Sequence, residues 1–174
     1  PVYTPGVAMP AYILLAMGAL FVLGALDDYR DVPAKVRLLA QSVLVVLSLW
    51  VLSPAFAVLQ VKVWPLIAVL LMLAAVWWVN LFNFMDGADG FAGSQALLMA
   101  GAGAVAVGLV GESSTGYAGS NVGFLYTYVA LSAGLFLILL GFLVLNWSPA
   151  RVFMGDSGST ALAFYLFFSS LLVC

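Results

Sequence analysis

The sequence predicts an all-α protein, a polytopic bundle of transmembrane helices forming one integral membrane domain over residues 1–174. Three observations carry this. Hydrophobic residues make up 66% of the chain and charged residues only 7%, whereas a soluble domain carries roughly 25% charged residues. Mean hydropathy is +1.20. The apolar residues are gathered into six runs near the length of roughly 20 residues that crosses a bilayer, where a helix satisfies its own backbone groups in lipid.

The first run extends from Pro10 to Leu26. The second, Val36 to Ser53, is expected to stop at Pro54, because proline supplies no backbone N–H. The third runs from Trp64 to Phe84, the fourth from Phe91 to Val110 and the fifth from Val122 to Leu145. The sixth starts near Ser159 and is cut at Cys174. So few residues separate the third and fourth runs that one or both should end inside a cavity. Gly101, Gly103 and Gly108 should let helices approach closely. Trp64, Trp77 and Trp78 read as interface anchors or packing residues. The chain opens on proline with no basic segment ahead of its first apolar run, and it closes inside another. It therefore reads as an internal fragment truncated at both ends.

Composition also excludes function classes. A net charge of −2 gives no basis for a nucleic-acid partner. One cysteine allows no disulfide framework. Without histidine, acid–base or metal chemistry falls to carboxylates. Six spans place segments 27–35, 85–90 and 146–158 on one face, and 54–63 and 111–121 on the other. Arg30, Lys35, Arg37 and Arg151 lie on the first face, against Lys62 on the second, so the first is cytoplasmic.

Six of the seven acidic residues lie on that first face, in three polar islands. Ionisable groups at membrane depth are costly and mark functional sites. The first island holds Asp27, Asp28 and Asp31, followed by Pro33, Lys35, Arg37 and Gln41. Adjacent carboxylates repel unless a cation lies nearby, which suits a base beside a metal. A solvated loop carrying topogenic charges accounts for this island equally well. In the second island, Asn80, Asn83 and Asp86 share a helical face. The following Asp86-Gly-x-Asp89-Gly sequence should end that helix in a turn. Interhelical hydrogen bonding is the plainer explanation, but it does not need four polar groups at one mouth. In the third island, Gly155 and Gly158 permit close backbone approach, and Asp156 precedes a helix start whose amides favour anions. A simple N-cap at Asp156 or Ser157 fits there too. Glu112, in a Gly/Ser-rich loop on the other face, should be solvated. Carboxylates, carboxamides and a few cations together suit Mg²⁺ and phosphate chemistry with a lipid substrate. A transporter whose aspartates carry protons or cations is the rival, disfavoured because the acids lie at one mouth rather than at mid-depth. An inactive membrane scaffold of the same fold is the other.

The three islands resemble the signature segments of the polyprenyl-phosphate N-acetylhexosamine-1-phosphate transferases (glycosyltransferase family 4). The matching text is Asp27-Asp28-x-x-Asp31, Asn80-x-x-Asn83-x-x-Asp86-Gly-x-Asp89-Gly, and Asn146-x-x-Pro149-Ala150-x-x-Phe153-Met154-Gly155-Asp156-x-Gly158-Ser159. The resemblance implies Mg²⁺-dependent transfer of N-acetylhexosamine-1-phosphate from a UDP-N-acetylhexosamine to undecaprenyl phosphate. UMP leaves, and the reaction initiates a cell-surface polysaccharide at the cytoplasmic face of a bacterial inner membrane. It implies Asp156 and Asn83 as Mg²⁺ ligands and Asp27 and Asp28 as catalytic groups at the lipid phosphate. Asn80, Asp86, Asp89, Asn146 and Phe153 would hold the nucleotide sugar, with Phe153 stacking on uracil, and Lys35 and Arg37 would contact phosphates. Asp31 stands where pentapeptide transferases carry a basic residue, and Asn83-Phe84-Met85-Asp86-Gly87-x-Asp89-Gly90 looks closer to the O-antigen-initiating branch than to the peptidoglycan branch. Family members have about ten spans and a His-containing loop late in the chain, in keeping with truncation here. The resemblance also admits a homodimer.

Overall fold

The computed structural model describes residues 8–58, 64–114 and 122–173. These form six helices: α1 (Ala8–Arg30), α2 (Ala34–Val58), α3 (Trp64–Met85), α4 (Phe91–Ser114), α5 (Val122–Asn146) and α6 (Gly155–Val173). No strand occurs among the described residues, and five of the helices are long and apolar enough to cross a membrane. Their outer faces carry exposed large apolar side chains, among them Leu15, Trp77, Leu98 and Leu137, which would be unfavourable against water and suit lipid. The chain is an integral membrane protein. Lys62 and Cys174 lie outside the described residues.

The sixth helix sits at the centre of the bundle. From Ser159 to Leu166 every residue of α6 is buried, with Phe164 and Phe168 wholly enclosed. It packs against α1, α3 and α4, while α5 is held mainly by α4. Its composition explains this position. Ser159, Thr160, Ala161 and Ala163 are small enough to admit neighbouring helices on several sides. Ser159 and Thr160 return their hydroxyls to the carbonyls of Gly155 and Asp156 one turn earlier, at 2.7 and 2.5 Å. Trp78 on α3 donates its indole N–H to the Ala163 carbonyl (3.1 Å) and tilts against Phe82. Trp77, its neighbour, faces outward.

Four boundaries differ from the sequence reading by four residues or more. α2 does not stop at Pro54 but continues to Val58. Proline removes the N–H that would bond the Trp50 carbonyl, and the Ser53 hydroxyl supplies a replacement donor at 2.7 Å. α1 runs on to Arg30, so Asp27 and Asp28 stand on the last helical turn rather than in a loop. α4 reaches Ser114, which puts Glu112 on a helix. α6 begins at Gly155, four residues before the expected start, because its first-turn amides find carboxylate partners. Among the glycines, a Cβ at Gly101 would meet Phe136 at 3.1 Å and one at Gly103 would meet the Tyr128 hydroxyl at 2.6 Å, as expected for close helix approach. Gly108 differs, having nothing within 4 Å.

Candidate active site

The ends of α1 and α3 and the starts of α2 and α6 meet at one mouth. α1 ends there because Asp31 adopts φ 49°, a left-handed conformation that aspartate tolerates, and its N–H closes onto the Asp27 carbonyl (3.0 Å). The Val32 N–H then donates to Asp27 Oδ1 at 2.7 Å. After Pro33 the chain re-enters a helix, and one turn in, Arg37 points back at the island it came from. Its Nη1 contacts both Asp27 Oδ2 and Asp156 Oδ2. One positive nitrogen thus stands between two carboxylates that are far apart in sequence. Together with Asp28, Asp31 and Val32, these groups line an open cavity of about 400 Å³.

Asn80, Asn83 and Asp86 form the expected row on α3 and its end, and each meets a different neighbour. Asn83 Nδ2 donates to Asp156 Oδ1 and to the Ser159 hydroxyl, both at 2.8 Å. One turn deeper, Asn80 Nδ2 donates to Gln41 Oε1 (2.9 Å) and to the Val76 carbonyl (2.8 Å). Gln41, fully buried on α2, is named with the first island in the sequence but carries no assigned role there. Its signal was a lone carboxamide in an apolar run, four residues after Arg37. Asp86 is only 5% exposed; its Oδ2 accepts the Gly155 N–H at 2.9 Å, while Oδ1 is buried without a hydrogen-bond partner. Burial pushes the Asp86 carboxyl above the usual aspartate range. The N–H groups of Met154 and Gly155 offset part of that, and the nearby Asp28 charge adds to it.

The first turn of α6 is where the three islands join. Its amides favour anions, and the anions come from the chain itself. Gly155 N–H donates to Asp86, Asp156 N–H to Asp28 Oδ1 (3.1 Å) and Ser157 N–H to Asp28 Oδ2 (3.2 Å). Gly155 has φ +68°, and a Cβ there would lie 3.1 Å from Asp28 Oδ2. The loop leading into this turn is tied down behind the mouth. Asn146, 1% exposed, accepts the Gly90 N–H (3.1 Å) and donates to the Val152 carbonyl (2.8 Å). Asp89 accepts the Ala150 N–H at 3.1 Å. Asp89 and Asn146 therefore do not line the cavity; they brace the loop that delivers Asp156. Phe153 is 48% exposed on that loop, and Lys35 is exposed at the start of α2.

The donor set fits a divalent cation. Asp27 and Asp156 already converge on one positive group, and two carboxylates with room for water and phosphate are what Mg²⁺ takes. Among the described residues no cluster of three or more carboxylate, histidine or cysteine side chains forms a full metal cage. Asn83 holds Asp156 Oδ1 and so orients that carboxylate from behind.

A model of the family described as Glycosyl transferase family 4 matches residues 10–173. Among similar proteins, the phospho-N-acetylmuramoyl-pentapeptide-transferase of Lactococcus lactis is 30% identical, over 94% of this chain and 51% of the relative. The decaprenyl-phosphate N-acetylglucosaminephosphotransferase of Mycolicibacterium smegmatis is 34% identical over 95% of this chain and 41% of its own length. The undecaprenyl-phosphate alpha-N-acetylglucosaminyl 1-phosphate transferase of Yersinia pestis is 30% identical, over 87% and 41%. The chain thus spans about half the length or less of these relatives, and both branches match at comparable identity. With the match running from the first turns of α1 to the end of α6, through all three islands, the chain belongs to glycosyl transferase family 4.

Proposed function

We propose that the protein transfers N-acetylhexosamine-1-phosphate from a UDP-N-acetylhexosamine to undecaprenyl phosphate, releasing UMP, at the cytoplasmic face of a bacterial inner membrane. The observation that carries this reading is the Asp27–Arg37–Asp156 contact, which gathers two carboxylates and a cation at one mouth beside a polar cavity. In the reaction, an oxygen of the lipid phosphate bonds to the sugar-linked phosphorus, and the bond from that phosphorus to UMP breaks. Asp156 and Asp27 would hold Mg²⁺, with Asn83 orienting Asp156. Bound Mg²⁺ would supply electrostatic stabilisation to the phosphoryl oxygens.

Arg37 and Lys35 would neutralise phosphate charge, Arg37 through its guanidinium fork. The Asp27–Asp28 pair serves the lipid-phosphate end. Phe153, exposed on the loop, would stack on uracil, and Asp86 would serve the nucleotide-sugar end by holding the Gly155 N–H at the start of α6. Asn80, Asp89 and Asn146 shape that end from behind. Asp31, which departs from the basic residue of the pentapeptide transferases, leans the reading away from a muramoyl-peptide donor. The test is the full-length protein with Mg²⁺, undecaprenyl phosphate and UDP-N-acetylglucosamine. UMP release that Asp156→Ala abolishes supports the proposal. No UMP from this or any other UDP-N-acetylhexosamine, or full activity in the variant, overturns it.

A further inference from the structure

Two adjacent aspartates at the end of α1 are candidates for the same catalytic task, and the structure treats them differently. Asp28 directs both carboxylate oxygens at backbone N–H groups, those of Asp156 and Ser157, across 128 and 129 residues of sequence. With Gly155 N–H on Asp86, the amides of Gly155, Asp156 and Ser157 all have carboxylate partners, and Gly158 N–H opens the helical ladder on the Met154 carbonyl (3.3 Å). The first three have no partner within their own helix, so a missing cap leaves the turn free to fray. One turn before Asp28, on the same face of α1, Gly24 is buried against the same α6 residues. A Cβ there would lie 2.5 Å from the Asp156 carbonyl oxygen and 2.5 Å from the Ser157 Cα. Gly24 and Asp28 therefore act as a pair, the first admitting the α6 backbone and the second clamping its amides.

We infer that Asp28 is a positioning residue, not the proton acceptor of the pair: it caps α6 from outside that helix and thereby sets the place of the Asp156 carboxylate. Asp156 belongs to the residue whose N–H Asp28 holds, so a loosened cap moves the carboxylate that faces Arg37. Asp27 keeps its own arrangement, with Oδ1 on the Val32 N–H and Oδ2 on Arg37. The same filled amides leave no vacant N–H cradle at α6 for a substrate phosphate, so phosphate binding falls to Arg37 and Lys35.

The kinetic part of this inference rests on the proposed transferase activity, so its test has two arms. Asn and Asp cap helices about equally well, whereas Ala does not, but only Asp can accept a proton as a base. In the full-length protein, hydrogen exchange of the 154–160 segment is compared for the parent, Asp28→Asn and Asp28→Ala. Protection should be retained largely in Asn and lost in Ala; equal protection in all three overturns the cap. In the transfer assay, kcat should fall about tenfold in Asn, which keeps one acceptor oxygen, and about a hundredfold or more in Ala. KM for the lipid phosphate should change little, and the acid limb of the pH profile should be the same in Asn as in the parent. An Asn variant as inactive as Ala with its amides protected, or one that has lost the acid limb, makes Asp28 the base and overturns the inference. If the parent releases no UMP, the proposed function fails by itself, and the exchange arm still decides the cap.

Discussion

Replacing Gly24 with alanine tests whether the site depends on the contact between α1 and α6. The added Cβ would sit 2.5 Å from the Asp156 carbonyl oxygen and 2.6 Å from its carbonyl carbon. These are backbone atoms, so no rotamer change relieves the overlap. Ordinary contact begins near 3.4 Å, so the two helices must part by about 1 Å at this point. Overpacking of this kind costs about 1–3 kcal/mol. A displacement of about 1 Å at a reacting group costs on the order of a hundredfold in rate. The control lies two turns earlier on the same helix: Gly18 has nothing within 4 Å, and Gly18→Ala should gain up to about 1 kcal/mol of helix propensity. Thermal unfolding in detergent and UMP release are measured for both variants. Gly24→Ala should unfold earlier than the parent and lose most transfer activity, while Gly18→Ala does neither. If the two variants match in midpoint and turnover, the close packing of α1 on α6 has no bearing on the site.

Three further outcomes follow from individual contacts. Burial raises the Asp86 carboxyl pKa above its usual 3.8, so the native state holds that proton more tightly than the unfolded chain. Native stability from this group is therefore lost as pH rises from about 3.8 through the raised value. Asp86→Asn should gain thermal stability relative to the parent toward neutral pH and lose that gain in acid; a difference that does not vary with pH contradicts this. Asn146→Ala strips buried partners from Gly90 N–H and the Val152 carbonyl and should cost about 2 kcal/mol or more, read as a lowered unfolding midpoint; an unchanged midpoint refutes it. Arg37→Ala leaves Asp27 and Asp156 facing each other without their shared cation. Mg²⁺ should then raise its unfolding midpoint more than it raises the parent's, and equal shifts would place the ion elsewhere.

The helices and their order were legible in the sequence because lipid leaves the backbone one economical solution over so many apolar residues. Asn80, Asn83 and Asp86 were legible as a row because helical spacing puts them on one face. Three things were not. The passage of α2 through Pro54 depends on a hydroxyl that happens to sit beside the freed carbonyl. The central place of α6 depends on packing among helices that a hydropathy profile treats as equivalent. The division of labour between Asp27 and Asp28 depends on which side of α1 meets α6, and that is set by Gly24, which has no polar atom in its side chain to attract notice.

The rarity of charge in this chain and the crowding of carboxylates at its mouth have a single physical account. A carboxylate near lipid is tolerable when donors surround it, and each island supplies donors or cations to another. Asp28 and Asp86 receive the α6 amides, Asp156 receives Asn83 and Arg37, and Asp89 receives the Ala150 N–H. Asp27 finds its partners within its own island, but no island satisfies all of its carboxylates by itself. The mouth is therefore complete only when α1, α2, α3 and α6 are together. It follows that variants of Asp89 or Asn146, which stand behind the cavity, should depress activity by loosening the loop that carries Asp156. Their defect should track the unfolding midpoint across a set of substitutions. Variants of Asp156 should not follow that line: they should abolish transfer with little change in stability. A single line through both sets would mean that the carboxylates at the mouth serve only to hold the helices together.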